Sequence, residues 1–205
     1  MVIGSVYDYF TTMKSEPLLF LAMLVHFSFC NLQAQSFKVE ADSLYGIRTE
    51  RETKMRRALS VFEEVMNDSC FWVSMDSMEY VFDLANDTNR HMSTKQINQK
   101  LYMGNEWYKK ENDSTANVYW VLKERTWHSL AVGYGYPSQK VIHTYSWFLD
   151  KSDLASLVGH IAHEWSHKLG FDHQFNPHPG REQTVPYAFG NKVKEFADMR
   201  YPANK

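Results

Sequence analysis

The chain has 205 residues and a formal net charge of −2, from 22 Lys and Arg against 24 Asp and Glu. No basic run stands out, which excludes the electrostatic footprint of a nucleic-acid binder or of a protein that works on an anionic membrane surface. After Cys30 the only cysteine is Cys70, so the chain beyond its first segment makes no internal disulfide and depends on packing and metal for stability.

In chain order, the first feature is an apolar run at residues 18–29, preceded by Lys14 and followed by Leu32, Gln33 and Ala34. A charged start, a short hydrophobic stretch and a small residue make residues 1–34 a signal peptide, with Met13 as an alternative start. The run is shorter than the ~20 apolar residues that spanning requires. Cys30 follows bulky Phe29, which argues against a lipid-attachment site. Residues 35–205 then suffice for one domain with a substantial core. The expected location is secreted or periplasmic, with no membrane contact after cleavage.

Residues 49–67 read as a helix with Ala58, Leu59, Phe62, Val65 and Met66 on its apolar side. Cys70 reads as a buried apolar thiol, and Asn67, Asn86 and Asn112 begin Asn-x-Ser/Thr sequons. A second helix is expected over residues 93–108, capped by Ser93, with Ile97, Leu101 and Tyr108 facing inward. Residues 118–125 and 140–149 are rich in aromatic and β-branched residues and read as strands. Between them, residues 133–137 form a turn-rich connection that also accommodates a short strand. The strand ending at Leu149 leads to a helix capped by Ser152 or Asp153.

That helix carries the chemistry. Residues 163–173 read His-Glu-Trp-Ser-His-Lys-Leu-Gly-Phe-Asp-His, the pattern H-E-x-x-H-x-x-G-x-x-H without a mismatch. His163 and His167 lie one turn apart on one face and can close on one tetrahedral zinc ion. Glu164 sits beside the first ligand, placed to act on water rather than on the metal, as a general base must be. Gly170 ends the helix where a left-handed backbone costs little, and the chain turns back to bring His173 to the same ion. The apolar stripe of Leu154, Leu157, Val158, Ile161, Ala162, Trp165 and Leu169 falls on the opposite side from His163, Glu164 and His167. Coincidence would produce the full pattern in on the order of one such chain in ten thousand, so we read it as a metal site.

The extended motif resembles that of the metzincin zinc metallopeptidases, the group that includes astacins, matrixins and serralysins. The resemblance rests on eleven residues. It implies an α+β fold: a small twisted mixed sheet with a backing helix, an active-site helix and a short C-terminal subdomain. It also implies a sheet edge beside the cleft that pairs with extended substrate, and a methionine turn beneath the metal. Residues 184–190, Thr-Val-Pro-Tyr-Ala-Phe-Gly, resemble that turn with Tyr187 at the methionine position, as a structural floor or as oxyanion support. A rival lies at Met199-Arg200-Tyr201, although residues 191–200 read as a helix.

Several other polar residues are set aside. His160 reads as solvated or cleft-lining, His178 as a surface residue, and Glu195 and Asp198 as a solvated helix face. Asp172 is a weaker third ligand than His173. The resulting expectation is a secreted zinc metalloendopeptidase with one catalytic Zn2+, in which a zinc-activated water attacks a peptide bond with Glu164 as general base. Its partner would be a protein or peptide substrate. The alternatives are an inactive zinc-dependent peptide- or partner-binding protein, and a zinc hydrolase of a non-protein amide.

Overall fold

The computed structural model describes residues 36–46, 48–84, 87, 89–109, 112–124 and 131–203. The expected signal peptide with Met13 and Cys30, the Asn86 sequon and Arg125 at the end of an expected strand lie outside the described residues. From Phe37 onward the chain forms one unit of α+β type. In order its elements are β1 Lys38–Tyr45, α1 Thr49–Met66, α2 Ser69–Met75, α3 Thr94–Met103, β2 Thr115–Lys123 and β3 Gly133–Gly135. There follow β4 Val141–Tyr145, α4 Ser146–Lys151, α5 Leu154–Lys168, a 3-10 turn Arg181–Gln183 and α6 Val185–Arg200.

The four strands form one mixed sheet in the order β1-β2-β4-β3. β1 and β2 are parallel, β2 and β4 are parallel, and β3 runs antiparallel to β4 at the sheet edge. Parallel neighbours need a crossover, and α1 begins the one that leads from β1 to β2. Its buried residues Met55, Ala58, Leu59, Val61, Phe62, Val65 and Met66 recur at helical spacing and give α1 one apolar face. At its end the Asn67 side chain accepts from the Phe37 amide and donates to the Phe37 carbonyl, both at 2.9 Å. The same amide nitrogen donates to the Glu63 carbonyl at 2.9 Å, so the sequon asparagine already uses both of its N–H groups.

Three elements differ from expectation. α3 has its capping box at Ser93 and Gln96 but stops at Met103, because Gly104 takes a left-handed conformation with φ 62°. Tyr108 therefore lies past the helix and donates to the Asn117 carbonyl. The expected strand 140–149 is a strand only to Tyr145 and then turns into α4. Strand preference of aromatic residues depends on context, and here the helical turn buries Leu149 and brings Phe148 to 5.0 Å from the His160 ring. Residues 184–190 are not a turn: Thr184 is the N-cap and Val185 begins a helix that continues to Arg200, with Pro186 in its first turn.

The core is centred on the back of α5. Trp165 meets Phe37 and Phe62 edge-on at 5.7 Å, and Phe189 of α6 packs on Phe62 and Phe71 at 6.2 Å. The indole N–H of Trp165 donates to Glu106 at 3.0 Å, and this fully buried carboxylate also accepts from the Asn117 amide at 2.8 Å. Polar groups this deep are tolerated because they are paired.

α5 and α6 cross at two glycines. A Cβ on Gly190 would lie 2.8 Å from the Gly159 carbonyl oxygen and 2.9 Å from the His163 Cβ. In an isolated helix, replacing glycine by alanine gains about 1 kcal/mol. Here overpacking at about 1–3 kcal/mol outweighs that gain. Gly190→Ala is therefore expected to lower the urea midpoint, despite its better helix propensity. A rise in midpoint would contradict the close crossing.

Candidate metal centre

α5 begins at Asp153, whose side chain accepts from the Ser156 amide at 2.6 Å, and presents His163 and His167 one turn apart with ring centroids 5.2 Å from each other. Gly170 then adopts φ 85°, the left-handed step that lets the chain reverse. Phe171 anchors the reversal in the core. His173 returns to within 5.2 Å of the His163 ring and 5.1 Å of the His167 ring. Each of the three imidazoles offers a nitrogen within 4.8 Å of the others.

The donor set fits a divalent ion. A tetrahedral ion with metal–nitrogen bonds of ~2.0–2.1 Å holds its ligand nitrogens about 3.3 Å apart. The Nε2 atoms of His163 and His173 are 3.2 Å apart. Their neighbours fix which nitrogen is available. His167 Nδ1 lies 2.8 Å from the Phe171 carbonyl and His173 Nδ1 lies 2.9 Å from the Gln174 carbonyl. A carbonyl only accepts, so both Nδ1 atoms carry the proton and both Nε2 lone pairs remain free. Burial, followed by the neighbouring imidazoles, holds His163 well below the ordinary histidine value. Burial likewise lowers His167 to about 3 and depresses His173. All three are thus kept in the neutral form that binds metal.

Glu164 is only 5% exposed. Burial pushes its carboxyl up to about 8, against the pull of the Lys168 charge and the Gly135 backbone amide. One oxygen, Oε2, is buried without a hydrogen-bond partner, and the other lies 3.6 Å from His160 Nδ1. The carboxylate is therefore raised in basicity and still has a vacant acceptor. A divalent cation on the adjacent imidazoles would favour its charged form.

Lys168 was not marked by the sequence. It is fully buried and donates to the carbonyls of Tyr136, Gln139 and Val141 at 3.2, 2.8 and 3.0 Å. These three bonds fasten the β3–β4 connection to α5, one turn below Glu164. The sheet edge beside the site is consequently β3, and β4, the strand nearest to α5 in sequence, is interior.

His160 is not solvated or cleft-lining. It is buried, with Nε2 2.8 Å from the Thr144 hydroxyl and its ring between Trp120 and Phe148. Burial lowers it to about 3. Cys70 is exposed rather than buried, because α2 turns Phe71 and Met75 inward instead. Glu195 and Asp198 are exposed on α6 as expected. Asp172 stays outside the three-donor group and accepts from the His173 amide at 2.9 Å. His178 is half-buried and bound to Asp83 at 2.6 Å. Asp83, a residue without any local sequence signal, also accepts from the Gln174 amide at 3.1 Å and so ties down the loop after the third histidine.

Tyr187, although helical, packs its ring 4.5 Å from His163 and 4.8 Å from His173. Met199 is 62% exposed, so the rival placement of the methionine is excluded. Comparison of the chain with protein-family models, with curated proteins and with solved structures finds no match in any of the three.

The neutral buried His160 couples stability to pH. Its value in the fold is about 3 against ~6.5 in an unfolded chain, so between these the unfolded state binds the extra proton. Stability from this group is complete above about 6.5 and is lost as pH falls toward 3. Relative to His160→Asn, the wild-type unfolding constant should rise about tenfold per pH unit below 6.5. Urea titrations of both proteins across this range provide the check, and a pH-independent difference would contradict the buried neutral ring.

Proposed function

We propose that this chain is an exported zinc metalloendopeptidase of metzincin type. The observation that carries the reading is the convergence of three neutral imidazoles, two of them 3.2 Å apart at Nε2, beside a buried carboxylate with an unpartnered oxygen. The leader-like run at residues 18–29 supports export. No helix among the described residues is long and apolar enough to cross a membrane. The family reading rests on the eleven-residue motif.

His163, His167 and His173 would hold the ion, with Phe171 and Gln174 fixing the last two rings through their carbonyls. Zinc supplies Lewis acidity there, lowering the pKa of a water and stabilising the charge that develops on the carbonyl oxygen. Glu164 takes the proton of the attacking water on its vacant oxygen and delivers it to the departing nitrogen. Burial raises the basicity of this carboxyl, and a cation on the adjacent imidazoles would favour the charged form that accepts a proton. Among the described residues β3 is the edge strand beside the site, which an extended peptide can join by strand addition, and the Lys168 bonds keep the adjoining connection against α5 while it does so. Tyr187 covers His163 and His173 on one side and takes the place of the family's methionine.

The test is a digest of mixed peptides by the zinc-loaded protein, read by mass spectrometry, with Glu164→Ala beside it. The wild type should cleave within peptides and lose activity to chelators. Glu164→Ala should retain one zinc per chain and lose ~10² to 10⁴ of the rate. Near-normal cleavage by the variant would contradict the mechanism. A wild type that binds zinc and cleaves no peptide would favour the peptide-binding or non-protein amide readings.

A further inference from the structure

Arg181 stands at the start of the 3-10 turn between the His173 loop and α6. Its guanidinium carbon lies 4.5 Å from the centroid of the Tyr187 ring. The same ring is in contact with His163 and His173, so the cation sits one aromatic ring away from two of the three imidazoles. Arg181 Nε is buried without a hydrogen-bond partner. Among the described residues no carboxylate forms an ion pair with this side chain. Asp83 is bound to His178 and to the Gln174 amide, and Glu182 accepts from Asn191 at 2.9 Å.

An arginine in this state is unsatisfied in a specific way. It does not lose its proton in proteins, and it presents donors in a planar fork that matches a carboxylate. Stacking on tyrosine fixes the plane of the fork but supplies no hydrogen-bond acceptor. A buried donor without an acceptor is costly. Nε itself is buried, but the residue as a whole is only partly buried, so an approaching anion meets the exposed part of the side chain.

We propose that Arg181 is the specificity-determining residue of the site and binds a carboxylate of the substrate, with Tyr187 as the platform that orients it. The inference rests on the peptidase reading for the nature of the substrate, and it adds that the cleaved chain carries an acid close to the reacting bond. The carboxylate has two sources, an Asp or Glu side chain or the free C-terminus, and both present the same planar group to the fork. Arg181 thereby acts on binding, while proton transfer remains with Glu164.

The experiment uses the zinc-loaded Glu164→Ala protein, so that binding is measured without turnover. Fluorescent hexapeptide pools are compared in pairs, Glu against Gln at each position and free acid against amide at the C-terminus. One pair should differ by about ten- to a hundredfold in Kd, the range of a charged hydrogen-bonded contact. A difference at an internal position identifies an acidic side chain, and a difference at the terminus identifies a carboxypeptidase-like mode. Arg181→Gln should abolish the difference and leave the neutral pools unchanged. Arg181→Lys, which keeps the charge but loses the planar fork, should restore only part of it and guards against a folding defect in the first variant. No carboxylate-dependent binding, or a preference that survives Arg181→Gln, overturns the proposal. If the preference is present and depends on Arg181 while the wild type cleaves nothing, the peptidase reading fails and the carboxylate site stands.

Discussion

α5 is buried on both sides, and the character of the site follows from that constraint. Its apolar face meets the aromatic core through Trp165. Its polar face meets the sheet edge and α6, where His160, Glu164, His167 and Lys168 are all buried. Polar groups without water need partners or they destabilise the fold. His160 finds Thr144, Lys168 finds three carbonyls, and His167 Nδ1 finds the Phe171 carbonyl. What remains is one carboxylate oxygen and imidazole nitrogens at Nε2. These unpartnered groups on the polar face of α5 are the ones available to a metal or a substrate.

The same burial sets the protonation states. Neutral imidazoles, a carboxyl raised to about 8 and a lysine lowered to about 8 are all responses to low access of water. Close crossing of α5 and α6 at Gly159 and Gly190 brings Tyr187 against the histidines, and Arg181 stacks on that ring in turn. Packing and electrostatics therefore cannot be varied independently here. An added methyl at the crossing presses on the Cβ of His163 itself.

Much of this was legible in the sequence because it depends on local periodicity. The helical faces of α1 and α5, the Ser93 cap and the reversal at Gly170 follow from spacing and from single-residue conformational preference. The cluster of His163, His167 and His173 also follows, since eleven consecutive residues encode it. What was not legible depends on the second covering layer. A wheel assigns His160 to the polar side, yet only β4 and α4 reveal that this side is closed by Thr144 and Phe148. Lys168 reads as an ordinary charged helix residue until the β3–β4 connection places three carbonyls around it. The aromatic stretch after Tyr145 suits strand or helix equally, and tertiary packing chose helix. For Thr184 to Gly190, family resemblance pointed to a turn, while Pro186 in the first turn and a capping position at Thr184 start a helix that still sets Tyr187 against the site.

His163, His167 and His173 are expected to form a single metal site with room for one further ligand. X-ray absorption at the zinc edge, on protein loaded with one equivalent, tests it most directly. Three imidazole nitrogens and one further light-atom ligand are expected at ~2.0–2.1 Å, with no sulfur. A sulfur shell at ~2.3 Å, which would implicate Cys70, or fewer than three imidazoles around the zinc, would contradict it.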